Sequence, residues 1–197
     1  MTDRFQQVYD IITKIDNGII VEIGSDKGYL TRHMLENSNC TVYCVDPYTR
    51  YDDYLDAINN VTGDALYNYV SGELTAKYGD RVRFIREFSD NAISLVPDNI
   101  DFLYIDGNHS YKYVYNDLKN YYPKVKTGGI IMGDDAVDTD ETKRNEANDV
   151  YVEWCPGCYG NYGVIKAFGD YLSHNNIRGE IVGNQYLVHK VSKLKLK

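Results

Sequence analysis

Short apolar runs alternate with amphipathic stretches along almost the whole chain. The runs are GIIVEIG (18–24), CTVYCVD (40–46), RVRFIRE (81–87), IDFLYIDG (100–107) and GGIIMGDD (128–135). They are rich in β-branched and aromatic residues and too short for ordinary helices, so they predict strands. Between them, helical spacing predicts helices at about 28–37, 52–78, 89–96, 110–122 and 163–176. Ahead of the first strand, Phe5, Val8, Ile11, Ile12 and Ile15 also fall at helical spacing, and Gly18 is placed to stop that helix, giving an N-terminal helix within 1–17. Strands alternating with helices imply βαβ units. The near-continuous apolarity of the runs implies a parallel sheet covered on both faces.

Near the C-terminus RGEIVG (178–183) and QYLVHKV (185–191) are separated by Asn184 alone, which predicts a tight antiparallel pair. The expected fold class is therefore α/β: a doubly wound, mainly parallel seven-stranded sheet with a C-terminal antiparallel strand pair, in one domain spanning 1–197. Residues 136–162 carry little periodicity and many polar groups. Loops of that length inside a compact domain are commonly functional. They read as a lid insertion, with Trp154, Tyr159 and Tyr162 available to face a sugar ring.

Composition narrows the function classes. Lys+Arg 21 against Asp+Glu 29 gives a formal net charge of -8, which disfavours a nucleic-acid partner, because phosphate binding needs a clustered cationic surface. The basic C-terminal KVSKLKLK reads as a solvated tail. No apolar run approaches the roughly 20 residues of a membrane helix, and MTDRFQQVYDIITKID lacks the apolar core of a secretory signal. A cytoplasmic location and no membrane contact are expected. Cys40, Cys44, Cys155 and Cys158 are too few for a disulfide scaffold and read as reduced thiols. A zinc site joining Cys155 and Cys158 to Cys40 and Cys44 is disfavoured, because Cys44 should be buried in the sheet.

In open α/β sheets ligands sit beyond the carboxyl ends of the strands. The first strand ends in Glu22-Ile23-Gly24-Ser25-Asp26-Lys27-Gly28. Gly24 allows a sharp turn, and Gly28 would let a ligand approach the next helix; a purely structural turn is the competing reading. The spacing E-x-G-x-x-x-G differs from the G-x-G-x-x-G of pyrophosphate binders, which argues against a nucleotide-dependent oxidoreductase. Asp46, ending the second strand, can accept the two hydroxyls of a ribose. Asp106 ends the fourth strand, and Asp134 and Asp135 end the fifth. If those strands are neighbours, three carboxylates converge. Their repulsion would call for compensation, and a hard divalent ion such as Mg²⁺ suits an all-oxygen set. Any single Asp could instead be a helix or loop cap. His109, three residues past Asp106, is the natural general base. His33 and His174 read as solvent-facing helix residues and His189 as a strand residue.

These motifs resemble the class I S-adenosylmethionine-dependent methyltransferases, and among them the metal-dependent O-methyltransferases of the macrolide-sugar and catechol type. VEIGSDKG looks like the glycine motif, VDPY like the acidic ribose motif, and YIDGNHSYKYVYNDLKNYYPKVKTGGIIMGDD like the D-G-x-H, G-G and D-D stretch of the macrolide-type group. GVIKAFGDYL is similar to the helix after the lid. The likeness runs from about residue 18 to 190. It implies that Glu22, Gly24, Ser25, Gly28, Asp46 and Asp106 hold the cofactor, with Ser89 against the adenosine. It further implies that Asp106, Asp134 and Asp135 bind Mg²⁺ and that His109 deprotonates the hydroxyl of a small-molecule or saccharide acceptor. Catechol-type enzymes carry a lysine where His109 stands, so the base matches the macrolide type. A single helix before the first strand departs from relatives with a longer N-terminal segment, which leaves the acceptor open. A homodimer and a non-catalytic cofactor-binding protein of the same fold also remain open.

Overall fold

A computed structural model describes residues 4–51, 63–136 and 162–192. The elements run α1 (Arg4–Ile12), β1 (Ile19–Ile23), α2 (Tyr29–Glu36), β2 (Thr41–Val45), α3 (Asp64–Tyr78), β3 (Val82–Ile85), α4 (Ser89–Ala92), β4 (Ile100–Ile105), α5 (Tyr111–Tyr121), β5 (Val125–Gly133), α6 (Tyr162–Asn175), β6 (Glu180–Val182) and β7 (Gln185–His189). The sheet order is β3-β2-β1-β4-β5-β7-β6. Strands β1 to β5 are parallel; β7 runs antiparallel to both β5 and β6. This is the expected doubly wound sheet with its terminal antiparallel pair.

The run IIVEI is buried on both faces because its side chains alternate between two cores. Val21 and Ile23 join Leu103, Ile105, Val114, Leu118 and Phe168 on the α5–α6 side. Ile20 joins Val8, Ile12, Met34, Val42 and Leu74 on the α1–α2–α3 side. The chain order reverses between β1 and β4, and that switch point opens the crevice in which the site lies.

Several boundaries shift for local reasons. Helix α4 covers four residues rather than eight, and Pro97 follows shortly after its end. The β6–β7 turn has two residues, not one, because Gly183 takes φ +66 and leaves the strand. His33, expected to face solvent, instead ties α2 to α1: its Nε2 lies 2.9 Å from the Phe5 carbonyl, and the Phe5 ring meets it edge-on. His174 is exposed, His189 lies in β7 and Cys44 is buried, as expected; Cys40 is buried too. Of the helix expected over 52–78, α3 accounts for Asp64–Tyr78, while 52–62, Trp154, Tyr159 and Tyr162 of the expected lid, and the Cys155/Cys158 pair lie outside the described side chains. No helix among the described residues is long and apolar enough to cross a membrane.

Candidate active site

A cavity of about 550 Å³ opens over the carboxyl ends of β1, β2 and β4, with Gly24, Asp46, Phe88, Ser89, Asp106 and His109 in its wall. Its floor is the corner after β1. The Gly24 amide donates to the Val45 carbonyl at 2.9 Å, and the Asp106 amide donates to the Ile23 carbonyl at 2.8 Å. Gly24 stands at φ +84, and a β-carbon there would lie 2.1 Å from the Asp106 carbonyl oxygen. Only glycine lets β1 turn this close to the end of β4.

Gly28 is set back from the cavity and has a different task. It caps α2 in the left-handed region, and its missing β-carbon would meet Val70 of α3 at 2.7 Å. The motif's second glycine thus serves the packing of α2 against α3. Ser25 lines the cavity and shares a hydrogen bond of 3.1 Å with the Tyr48 hydroxyl, which donates to the Asp26 carbonyl.

Asp46 is fixed from two sides. Its Oδ2 accepts the Asp26 amide at 3.0 Å and its Oδ1 the Tyr48 amide at 2.7 Å. Burial raises its pKa while those amides pull it down. The Ser25 amide also bonds this carboxylate, and of its roughly four lone-pair sites at least one remains to receive a hydroxyl. Glu22 lies deeper, 1% exposed, and accepts the Thr31 hydroxyl; burial pushes its carboxyl up to about 8. At the far wall α5 holds the start of α4. Asp117 takes a bond from the Ser89 side chain, the Tyr121 hydroxyl donates to the Ser89 carbonyl at 2.7 Å, and Asn120 donates to Asp90 at 2.8 Å.

The acidic end of the cavity brings β4 and β5 side by side, as the run of carboxylates required. His109 sits between two of them, its Nε2 3.3 Å from Asp106 Oδ1 and its Nδ1 3.2 Å from Asp135 Oδ2. Burial pushes the Asp106 carboxyl up to about 6, against the hydrogen bond from His109, and the nearby Asp134 charge adds to the rise. Asp135 turns off the strand at φ +59 and is more exposed. Asp106, His109 and Asp135 each offer one atom within 4.8 Å of the others, a spacing that could hold a metal ion.

Asp134 stands apart from that trio, with both oxygens engaged. Its Oδ1 accepts Gln185 Nε2 at 2.6 Å and the Asp135 amide at 2.9 Å; its Oδ2 accepts Arg4 Nη1 at 2.6 Å. The same Arg4 nitrogen reaches Asp106 Oδ2 at 3.1 Å. Burial works against the charge of Arg4, but attraction to Asp106 and the bond to Asp134 outweigh it and raise its pKa. Neither Arg4 nor Gln185 belongs to a sequence motif. A signal for Arg4 exists all the same: Arg4, Val8 and Ile12 form an i, i+4, i+8 row, so the charge heads the stripe that α1 turns towards the sheet.

Comparison with known proteins agrees with this layout. Residues 21–136 match the family described as "Methyltransferase domain". Uncharacterized protein R132 of Acanthamoeba polyphaga mimivirus is 34% identical over 114 residues, which are 54% of this chain and 50% of that protein. The chain therefore spans about half the length of that relative. Among solved structures, the O-methyltransferase NovP superposes with a TM-score of 0.66 at 19% identity, covering 96% of this chain and 80% of its own. An rRNA methylase from Streptococcus thermophilus superposes with a TM-score of 0.61 at 12% identity, covering 98% and 99%. With its sheet order, its crevice at the switch point and the match across β1 to β5, the chain belongs to the methyltransferase-domain family, within the class I S-adenosylmethionine-dependent fold.

Proposed function

We propose that the chain transfers a methyl group from S-adenosylmethionine to a hydroxyl oxygen of a small molecule or saccharide, with His109 as general base. The observation that carries this reading is the imidazole of His109, held between Asp106 and Asp135 at one end of a cavity whose other end presents Asp46. The cavity suits the cofactor: Gly24 leaves room at the corner, Asp46 offers an acceptor for a ribose hydroxyl, and Phe88 and Ser89 offer an apolar and a polar surface for adenine. S-adenosylmethionine supplies, when bound, a methyl group already activated by its sulfonium charge.

The chain's own residues then have three tasks. The cavity wall holds the acceptor oxygen in line and excludes water. His109 takes the hydroxyl proton on Nδ1 as the oxygen attacks, the acceptor hydroxyl entering between that nitrogen and the more exposed Asp135 carboxylate while Nε2–H stays on Asp106. Asp106 and Asp135 orient the ring and stabilise the imidazolium that results. The formal net charge of -8 favours a small acceptor over a nucleic acid. The Mg²⁺ set of Asp106, Asp134 and Asp135 does not fit this arrangement, since Asp134 already accepts three N–H groups, one of them from Arg4. No step here runs through a divalent ion.

Calorimetry tests the cofactor assignment without an acceptor. S-adenosylhomocysteine should bind in the micromolar range, roughly -8 kcal/mol, and NAD should not compete. Asp46→Ala should weaken that binding by about 1.5–3 kcal/mol through loss of charge-assisted hydrogen bonds. Tight NAD binding with no response to S-adenosylhomocysteine would sink the reading.

A further inference from the structure

The carboxylates of Asp106 and Asp134 meet across the ends of β4 and β5, and one nitrogen lies between them. Arg4 Nη1 bonds Asp106 Oδ2 at 3.1 Å and Asp134 Oδ2 at 2.6 Å. An Mg²⁺ ion bridging the same two oxygens would have to sit about 2.0–2.1 Å from each, which is the volume this nitrogen fills. Arginine and a bridging metal therefore exclude one another.

Several contacts keep Arg4 there. Val8 and Ile12 are fully buried on the same face of α1. His33 of α2 bonds the Phe5 carbonyl at 2.9 Å, and Gln7 Nε2 donates to the Val182 carbonyl at the end of β6 at 3.2 Å. The helix is pinned at its first turns, directly behind the guanidinium. Gln185 completes the arrangement by donating to the remaining oxygen of Asp134 from a position that is 3% exposed.

We infer that Arg4 is the resident cation of this site: a positioning residue that takes the bridging place a divalent ion would need, neutralises Asp106 and Asp134, and leaves Asp106 Oδ1 aimed at His109. This rests on the reading of the His109 end as the reaction centre, and it deepens that reading by making methyl transfer independent of a bridging metal. Such a built-in cation carries one charge where the metal carries two. It cannot take an acceptor oxygen as a ligand, so proton removal falls to His109.

The test uses the full chain and Mn²⁺ as a spectroscopic probe, with neither methyl donor nor acceptor present. Failure of methyl transfer and failure of this inference are then seen separately. Electron paramagnetic resonance should show Mn²⁺ binding about ten-fold or more tighter in Arg4→Gln than in the wild type, because two carboxylates lose their partner. Arg4→Lys keeps the charge and should bind Mn²⁺ no better than the wild type, an outcome that a merely structural role for the side chain would not produce. Equal affinity in wild type and Arg4→Gln overturns the inference. If Arg4→Gln does not fold, the wild type alone decides. The Arg4 Nε–H resonance should keep its slow exchange with solvent through a titration with Mg²⁺ into the millimolar range. Its saturable loss to fast exchange would show the ion displacing the guanidinium and overturn the inference.

Discussion

His109→Ala should slow methyl transfer by about 10²–10⁴-fold, the usual contribution of a positioned base, and should leave the affinity for S-adenosylhomocysteine little changed. The ring sits at the acidic end of the cavity, away from Asp46, and its two nitrogens face Asp106 and Asp135. Its loss removes a proton acceptor without touching the cofactor's ribose end. The pH profile gives a second reading of the same role. Burial raises the Asp106 carboxyl to about 6, against the pull of the His109 hydrogen bond. An ionised Asp106 steadies the imidazolium formed in the transfer. Wild-type turnover should therefore fall as the pH drops below about 6, where Asp106 gains a proton and that support disappears. His109→Ala has no imidazole to support and should show a flatter acid limb. Its deficit should narrow at alkaline pH, where hydroxide can replace the base. Single-turnover rates across this range, with an acceptor found by screening polyols and phenols, measure both effects. An unaffected rate in the variant would remove the assignment.

The frame of the site was legible because its signals are local. A strand buried on both faces must be apolar at successive positions, and IIVEI and IDFLYI say so directly. The carboxyl ends of β1, β2, β4 and β5 then deliver Gly24, Asp46, Asp106 and Asp134 to one end of the sheet. What the sequence concealed is which partner answers each charge. Three aspartates at converging ends call for a cation, and composition alone favours a metal over one arginine a hundred residues away in the chain. Arg4 reaches Asp106 and Asp134 only because α1 packs on the α2 side of the sheet, a tertiary fact with no motif. Gln185 was hidden for the same reason, since its partner depends on β7 inserting beside β5. Gly28 shows a subtler limit. The motif points to a turn beside a ligand, and the contact that a side chain there would meet, with Val70 of α3, could not be read from it. His33 likewise looked solvent-facing on its own helix and turned out to be the seam with α1.

Gly24→Ala should be the most damaging single methyl group that can be added to this protein's site. At φ +84 an alanine is forced into a left-handed conformation, a strain of about 1–3 kcal/mol. The added carbon would also lie 2.1 Å from the Asp106 carbonyl oxygen, 2.6 Å from its carbonyl carbon and 2.9 Å from the Gly107 α-carbon. All three are backbone atoms, so no side chain can swing aside. β1 and β4 must part at the corner where the Asp106 amide bonds the Ile23 carbonyl. Overpacking of this kind costs about 1–3 kcal/mol or more. The sum, about 2–6 kcal/mol, is a large share of the roughly 5–15 kcal/mol typical of a folded domain. Any chain that still folds should carry Asp106 displaced from His109 and Arg4, and should lose cofactor binding along with turnover. Gly72→Ala is the control. Gly72 is an exposed residue of α3 with an ordinary helical φ, and a β-carbon added there would meet nothing within 4 Å. Alanine there should stabilise the protein by about 0.5–1 kcal/mol. Urea unfolding of the two variants beside the wild type separates the effects of conformation and space from the mere loss of a glycine. If Gly24→Ala unfolds at the wild-type midpoint and still binds S-adenosylhomocysteine, the corner between β1 and β4 is looser than these distances allow, and the placement of Asp106 does not depend on it.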